Sequence, residues 1–267
     1  MIVAGCDVGS LTSKAVILDD GKILSQAVLA STFNTDESAS MVMDRALRAV
    51  GLSLQDIGFC VGTGYGRDRI PFVSKAVSEI ACHARGAWWL MPSVRTVIDI
   101  GGQDCKAIRL DEKGGVVKFF TNDKCAAGTG RFLEVMAKLL GISLDELGRL
   151  SSEARSPLSL ASTCTVWAQA EVIHHLNEKK PKADIAAAIN QAMANRVAIL
   201  ARSVGAQKDV CMTGGVAKNV GVVQALERCL DVNIRRLRVD PQIIGALGAA
   251  VFARENVRGG SHAGGRM

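Results

Sequence analysis

Apolar positions along the chain fall into two patterns. Short apolar runs alternate with Asp-Gly or Asp-x-Gly turns, and longer stretches repeat every three or four residues. The first pattern opens the sequence. An apolar run ends at Asp7-Val-Gly-Ser10, a second continues through Leu18 to Asp19-Asp20-Gly21, and a third covers Ile23 to Ala30. Asp-Gly between two such runs predicts a hairpin, since both residues tolerate a positive φ. The second pattern predicts helices over Met41–Val50, stopped by Gly51, and over Ser74–Met91, ended by Pro92. Further helices are expected over Arg131–Leu140, Thr165–Leu176, Asp184–Val204 and Val220–Leu230. In Arg131–Leu140, positions 132, 133, 136, 137 and 140 form one apolar face before Gly141. Strands alternating with helices make the fold class α/β.

The strand pattern recurs. Asp7-Val-Gly-Ser-Leu-Thr-Ser-Lys14-Ala-Val-Ile-Leu-Asp19 aligns with Asp99-Ile-Gly-Gly-Gln-Asp-Cys-Lys106-Ala-Ile-Arg-Leu-Asp111 at a constant offset of 92 residues. One inserted residue then precedes the second turn glycine, Gly114, and a third strand follows over Val116–Phe120. A repeat of this size implies two similarly built halves. The boundary is expected near 92–95, giving domains over 1–94 and 95–257. A terminal helix is expected over 243–254 and a Gly/Ser/His/Arg tail over 258–267.

Composition narrows the class. Hydrophobic residues make up 48% and aromatics only 4%, so the core is aliphatic. The first residues carry no basic leader, and the run 243–253 is too short to cross a bilayer, so the chain reads as cytoplasmic and without membrane contact. Net charge is +6, but the basic residues are scattered, and Arg235-Arg236-Leu-Arg238 has no interleaved aromatics. Nucleic acid is therefore not the expected partner. The eight cysteines form no CxxC pair, which argues against a zinc finger or a thioredoxin motif.

The two Asp-x-Gly turns point to nucleotide. Gly9 with Ser10, and Gly101 with Gly102, can bring backbone N–H groups close to phosphate oxygens, and Asp7 and Asp99 are placed to hold Mg2+, directly or through water. A third turn, Thr213-Gly214-Gly215, follows an apolar run and precedes a helix that opens at Asn219. It can set backbone against a base or ribose. No GxxxxGK[ST] or strand-linked GxGxxG is present.

These motifs resemble the superfamily of sugar and acetate kinases, heat-shock chaperones and actin. Asp7-Val-Gly-Ser is similar to its first phosphate motif, Asp99-Ile-Gly-Gly-Gln-Asp104 to its second, and Thr213-Gly-Gly215 to its adenosine motif. Ser78 to Gly86 and Gly245 to Ala250 resemble its two connecting helices. The resemblance implies duplicated ribonuclease H-like domains with a nucleotide cleft between them, ATP or ADP as ligand, and ATPase activity. On it, Asp7 and Asp99 organise Mg2+ and the attacking water, and Gln103 or Asp104 orients that water. Gly9, Ser10, Thr12, Lys14, Gly101 and Gly102 surround phosphates, while Thr213, Gly214, Gly215 and Asn219 flank adenosine.

A narrower resemblance is to the activators of 2-hydroxyacyl-CoA dehydratases and the ATPase subunits of benzoyl-CoA reductases. It is carried by Thr63-Gly-Tyr-Gly-Arg67, Asn122-Asp-Lys-Cys125-Ala-Ala-Gly-Thr-Gly-Arg-Phe132 and Ser162-Thr-Cys164-Thr-Val166. The chain departs from that family's usual pattern at Trp167-Ala-Gln-Ala-Glu171. The resemblance implies a homodimer in which Cys125 and Cys164 of each subunit hold one 4Fe-4S cluster per dimer. It also implies a ferredoxin or flavodoxin as donor and an iron–sulfur dehydratase, reductase or double-cubane cluster protein as acceptor. Two cysteines alone cannot complete a four-thiolate site, but a two-fold axis doubles them. Each cysteine precedes a predicted helix, with Lys124 and Arg131 nearby, and both features favour thiolate.

Two other classes compete. A small-molecule kinase would consume ATP only with an acceptor and hold no iron, and an actin-like assembly module would tolerate changes at Cys125. His174 and His175 point different ways on one helix and make poor joint ligands. His83 reads as structural, and Trp88 and Trp89 as packing.

Overall fold

The computed structural model describes residues 1–122, 124–156, 158–161 and 164–263. Ser162, Thr163 and Asp123 of the quoted motifs lie outside the described residues, as do 264–267. The chain divides into two compact units. One comprises Met1–Val94, Leu110–Val116 and the segment from Leu237 onward, and the other Arg95–Arg109 and Val117–Arg236.

The first unit is built on β1 (Ile2–Val8), β2 (Thr12–Asp19), β3 (Lys22–Ala30), β4 (Phe59–Thr63) and β5 (Lys75–Ala76), in the order β3-β2-β1-β4-β5. β1 runs antiparallel to β2 and parallel to β4. The β2–β3 turn has positive φ at Asp20 and Gly21, as an Asp-Gly hairpin requires. α1 (Thr35–Arg48) starts six residues before the predicted position 41. Its first turn is polar and shows no apolar period, but Asn34 caps it by accepting from the Asp36 and Glu37 N–H groups. α2 (Glu79–Leu90) is shorter than predicted. Lys75–Ala76 pairs with β4 instead, and Ser78 caps the helix.

The second unit repeats the plan with β6 (Thr96–Ile100), β7 (Cys105–Leu110), β8 (Val116–Asn122), β9 (Val210–Thr213) and β10 (Ile234–Arg235), in the order β10-β9-β6-β7-β8. Its helices are α3 (Gly130–Leu140), α4 (Leu144–Leu150), α5 (Thr165–Asn177), α6 (Lys182–Ser203) and α7 (Val220–Leu230). The predicted face of α3, from Phe132 to Leu140, is buried with Ile98, Ile100, Met193 and Val197. Each of the larger side chains, Phe132, Leu133, Met136 and Leu140, contributes about 2 kcal/mol by leaving water. α4 was not predicted, although Ser143 and Glu146 form the capping box that announces it.

α8 (Ile244–Ala263) departs from two expectations. It belongs with the first unit rather than with a second domain ending at 257, and it is helical across 258–263, where a loose tail was expected. Its packing explains the grouping. A Cβ on Gly5 of β1 would strike Ala246 O and Ala250 N, and one on Gly248 would strike the Cys82 carbonyl of α2. These glycines allow β1 and α2 to approach the backbone of α8 closely. The β7–β8 turn joins the first unit because Trp88 Nε1 donates to Glu112 O at 3.1 Å and the Trp88 ring fills the space beside Gly114.

Candidate functional site

The duplication places the same chemistry at one end of each sheet. In the first unit Asp7 on β1 lies opposite Lys14 on β2 and beside Thr63 on parallel β4. In the second, Asp99 on β6 lies opposite Lys106 on β7 and beside Thr213 on parallel β9. Both carboxylates are buried. Lys14 Nζ is 3.5 Å from Asp7 Oδ2, and Lys106 Nζ is 3.6 Å from Asp99 Oδ2. A buried carboxylate is costly without such a partner, so the repeated lysine holds the charge in place. Lys106 also reaches Asp104 Oδ2 at 2.7 Å.

The turns after β1 and β6 close alike. The Gly9 N–H donates to Thr12 O at 3.1 Å, and the Gly101 N–H donates to Asp104 O at 3.0 Å. These two donors therefore serve the turns themselves. A Cβ on Gly9 would lie 2.9 Å from Thr12 O, a backbone atom, and one on Gly101 would lie 2.8 Å from Asp104 Oδ1, which would have to shift. Ser10 and Gln103 are exposed at the tips, with Thr12 and Gly102 half-buried beside them.

The Thr-Gly pairs are a second shared element. Gly64 and Gly214 have φ of 87° and 82°. A Cβ on either would press on the neighbouring carboxylate, at Asp7 Oδ1 or at Asp99 Oδ1. Thr213 Oγ1 donates to Asp99 Oδ1 at 2.8 Å, and the residue is fully buried. Its side chain thus orients a carboxylate. Asn219 has structural partners as well. Its Oδ1 caps α7 by accepting from Val222 N, and its Nδ2 donates to Asn190 Oδ1, so both ends serve the fold. Gly214 is buried, whereas Gly215 is exposed. Lys106, Thr63 and Gly64 were missed as site residues. The repeat already marked Lys106, but the Thr-Gly pairs lie beyond the aligned segment.

The cysteines separate by environment. Burial pushes the thiols of Cys60, Cys82, Cys105 and Cys211 up to about 12, and that of Cys6 well above its ordinary value. These are neutral core side chains. Cys229 is half-buried and hydrogen-bonds with Gln191 and Asn195. Cys164 is exposed at the N-cap of α5, where its side chain makes no capping bond. Cys125 is half-buried and lies four residues before Thr129, the N-cap of α3, too far for that helix's first turn to act on it. Its positive neighbour is Arg196 on α6, whose Nη1 donates to Cys125 Sγ at 3.6 Å, while Arg131 pairs with Glu134. An accessible thiol at a helix start and a second beside a guanidinium suit thiolate ligation of an iron–sulfur group.

The turn after β6 is joined directly to the segment that carries Cys125. The Gly130 N–H donates to Gly101 O at 2.8 Å and the Arg131 N–H to Gly102 O at 2.9 Å. Asn122 Nδ2 closes the same segment by donating to the carbonyls of Cys125 and Ala127.

Comparison with known proteins accords with this geometry. The profile of the BadF/BadG/BcrA/BcrD ATPase family matches residues 4–253. The activator of lactoyl-CoA dehydratase from Anaerotignum propionicum is 48% identical over 96% of this chain and 98% of its own. The (R)-2-hydroxyglutaryl-CoA dehydratase activating ATPase of Acidaminococcus fermentans is 45% identical over 93% of this chain and 95% of its own. The solved activator of the 2-hydroxyisocaproyl-CoA dehydratase from Clostridium difficile, with bound ADPNP, superposes with a TM-score of 0.94 at 42% identity, covering 100% of this chain and 99% of that one.

Proposed function

Because this chain belongs to the BadF/BadG/BcrA/BcrD ATPase family, we propose that its ATP hydrolysis drives one-electron delivery to an iron–sulfur dehydratase or reductase. The working form is a homodimer. Relatives that activate 2-hydroxyacyl-CoA dehydratases support the activator role and a dehydratase as acceptor. A ferredoxin or flavodoxin is the donor class that such an activator needs.

The observation that carries this reading is the pair of hydrogen bonds from Gly130 and Arg131 to Gly101 and Gly102. A turn that rearranges around phosphate would pull directly on the segment holding Cys125. That is a short physical route from nucleotide state to cysteine environment, inside one unit. Asp7 and Asp99 would hold Mg2+, which supplies charge neutralisation at the phosphates. Lys14 and Lys106 lie beside these carboxylates and orient them, and Thr213 fixes the rotation of Asp99. Cys125 and Cys164 would hold a 4Fe-4S cluster, which when bound supplies a low-potential one-electron store. Val166 and Trp167, each about two-thirds exposed beside Cys164, and Phe119 and Phe120 on β8 ahead of Cys125 are apolar surface suited to a partner subunit.

ATP consumption by anaerobically purified protein, with no sugar or carboxylate present, tests the reading against the kinase alternative. The expected result is phosphate release without an acceptor and, after reduction, activation of a 2-hydroxyacyl-CoA dehydratase with ATP but not with ADP. Turnover that needs an acceptor and yields its phosphorylated product would overturn it.

A further inference from the structure

We propose that His83 is a positioning residue for ATP hydrolysis: its Nε2 side faces the Asp7 carboxylate and holds it, or the water it binds, in the reactive orientation, and Glu79 steadies the imidazole. The proposal rests on Asp7 being a carboxylate of the nucleotide site.

The surroundings of Asp7 carry the argument. Its Oδ1 side is closed by the backbone at Gly64. Its Oδ2 side meets Lys14 and, on α8, Gly245. A Cβ on Gly245 would lie 2.9 Å from Asp7 Oδ2 and also 2.9 Å from His83 Nε2. The carboxylate and the imidazole therefore face each other across a glycine, and any side chain at 245 would displace one of them. His83 is buried. Two further histidines, His174 and His175, lie on α5 and pair with Glu178. Glu79 sits one helical turn before His83, with Oε1 4.0 Å from Nε2.

The helix crossing brings the imidazole there. A Cβ on Gly86 of α2 would strike Ile244 O and lie 2.9 Å from Gly248 N, so α2 and α8 meet backbone to backbone. A polar ring is a costly filler for so tight a crossing, because it must be hydrogen-bonded to be buried. Alanine or cysteine, which flank it, would pack at lower cost. The repeat encodes Asp7, Lys14 and their counterparts but not this histidine, which α2 adds to the first unit.

The test compares His83→Ala, His83→Gln and His83→Asn in steady-state ATP hydrolysis, with thermal unfolding as the folding control and Asp7→Asn alongside. A slightly misplaced reacting group costs roughly 10²-fold, so His83→Ala is expected to lower kcat by about that factor, with the KM for ATP changed less than about threefold. Glutamine places an amide nitrogen where Nε2 stood and should recover most of the rate. Asparagine reaches only the Nδ1 position and should not. A His83→Ala kcat within about threefold of wild type, or equal rates for the Gln and Asn variants, would overturn the proposal. If Asp7→Asn abolishes hydrolysis while His83→Ala does not, this inference alone fails. If Asp7→Asn leaves hydrolysis intact, the reading of Asp7 fails with it.

Discussion

Asp99→Asn will lower the rate of ATP hydrolysis by on the order of 10³-fold while the second unit stays folded, the scale expected when a preorganised charge at the reacting phosphates is removed. Asparagine keeps the shape of the side chain, and Thr213 Oγ1 can still donate to the remaining carbonyl oxygen from its 2.8 Å position. Lys106 keeps Asp104 at 2.7 Å, so no buried lysine is left without a carboxylate. The lost element is the negative charge that would hold Mg2+. Asp7→Asn should give a similar loss, because the same register places Lys14 opposite it. The double variant should fall little below the lower single one, since groups acting as one unit are not additive. Phosphate release across the four proteins, with circular dichroism as the folding control, checks this. A double variant that retains activity would remove both carboxylates from the site.

Gly248→Ala will destabilise the first unit by about 3 kcal/mol or more, the upper range for overpacking a close contact. The added methyl would meet the Cys82 carbonyl, with Cys82 Cα 2.9 Å away. These are backbone atoms in α2 and cannot rotate aside as a side chain could. The reciprocal glycine, Gly86, meets α8 backbone in turn, and Gly5 meets it from β1. Relief therefore requires α8 to lift away from the sheet. A loss of that size lowers the unfolding midpoint by roughly 6–12 °C. Gly51→Ala is the comparison. Gly51 has φ of 67° with nothing within 4 Å of its added Cβ, so only left-handed strain of about 1 kcal/mol is expected. If Gly248→Ala unfolds no earlier than Gly51→Ala, the close crossing does not limit stability.

Much of the fold was legible because the duplication is local. The offset from Asp7 to Asp99 carried with it the lysines, and the structure pairs each aspartate with its own lysine in the same register. The face of α3 was legible for the same reason: periodicity and Gly141 lie within one short segment. What escaped depends on distance along the chain. Thr63 and Thr213 occupy matching places, but different lengths of chain separate them from their aspartates, and only Thr-Gly is common to both. Arg196 meets Cys125 from 71 residues away, with no local signal to announce it. His83 shows only as a buried position on a helix until α8 brings Gly245 beside it. Asn219 carries two signals: asparagine before an apolar helical run is a preferred N-cap, and the structure shows that cap, while the nearby Gly-Gly turn places it beside the expected nucleotide motif.

Iron and acid-labile sulfide should be measured on protein purified without oxygen, for wild type, Cys125→Ala, Cys164→Ala and Cys229→Ala. Wild type and Cys229→Ala should hold about four irons for every two chains, because two thiolates from each of two copies complete one cluster. Cys125→Ala and Cys164→Ala should each lose the iron while remaining folded by circular dichroism, with an unfolding temperature no lower than that of iron-free wild type. Absence of iron in wild type after anaerobic reconstitution, or its retention in both of those variants, would contradict the assignment of Cys125 and Cys164 and with it the electron-delivery function.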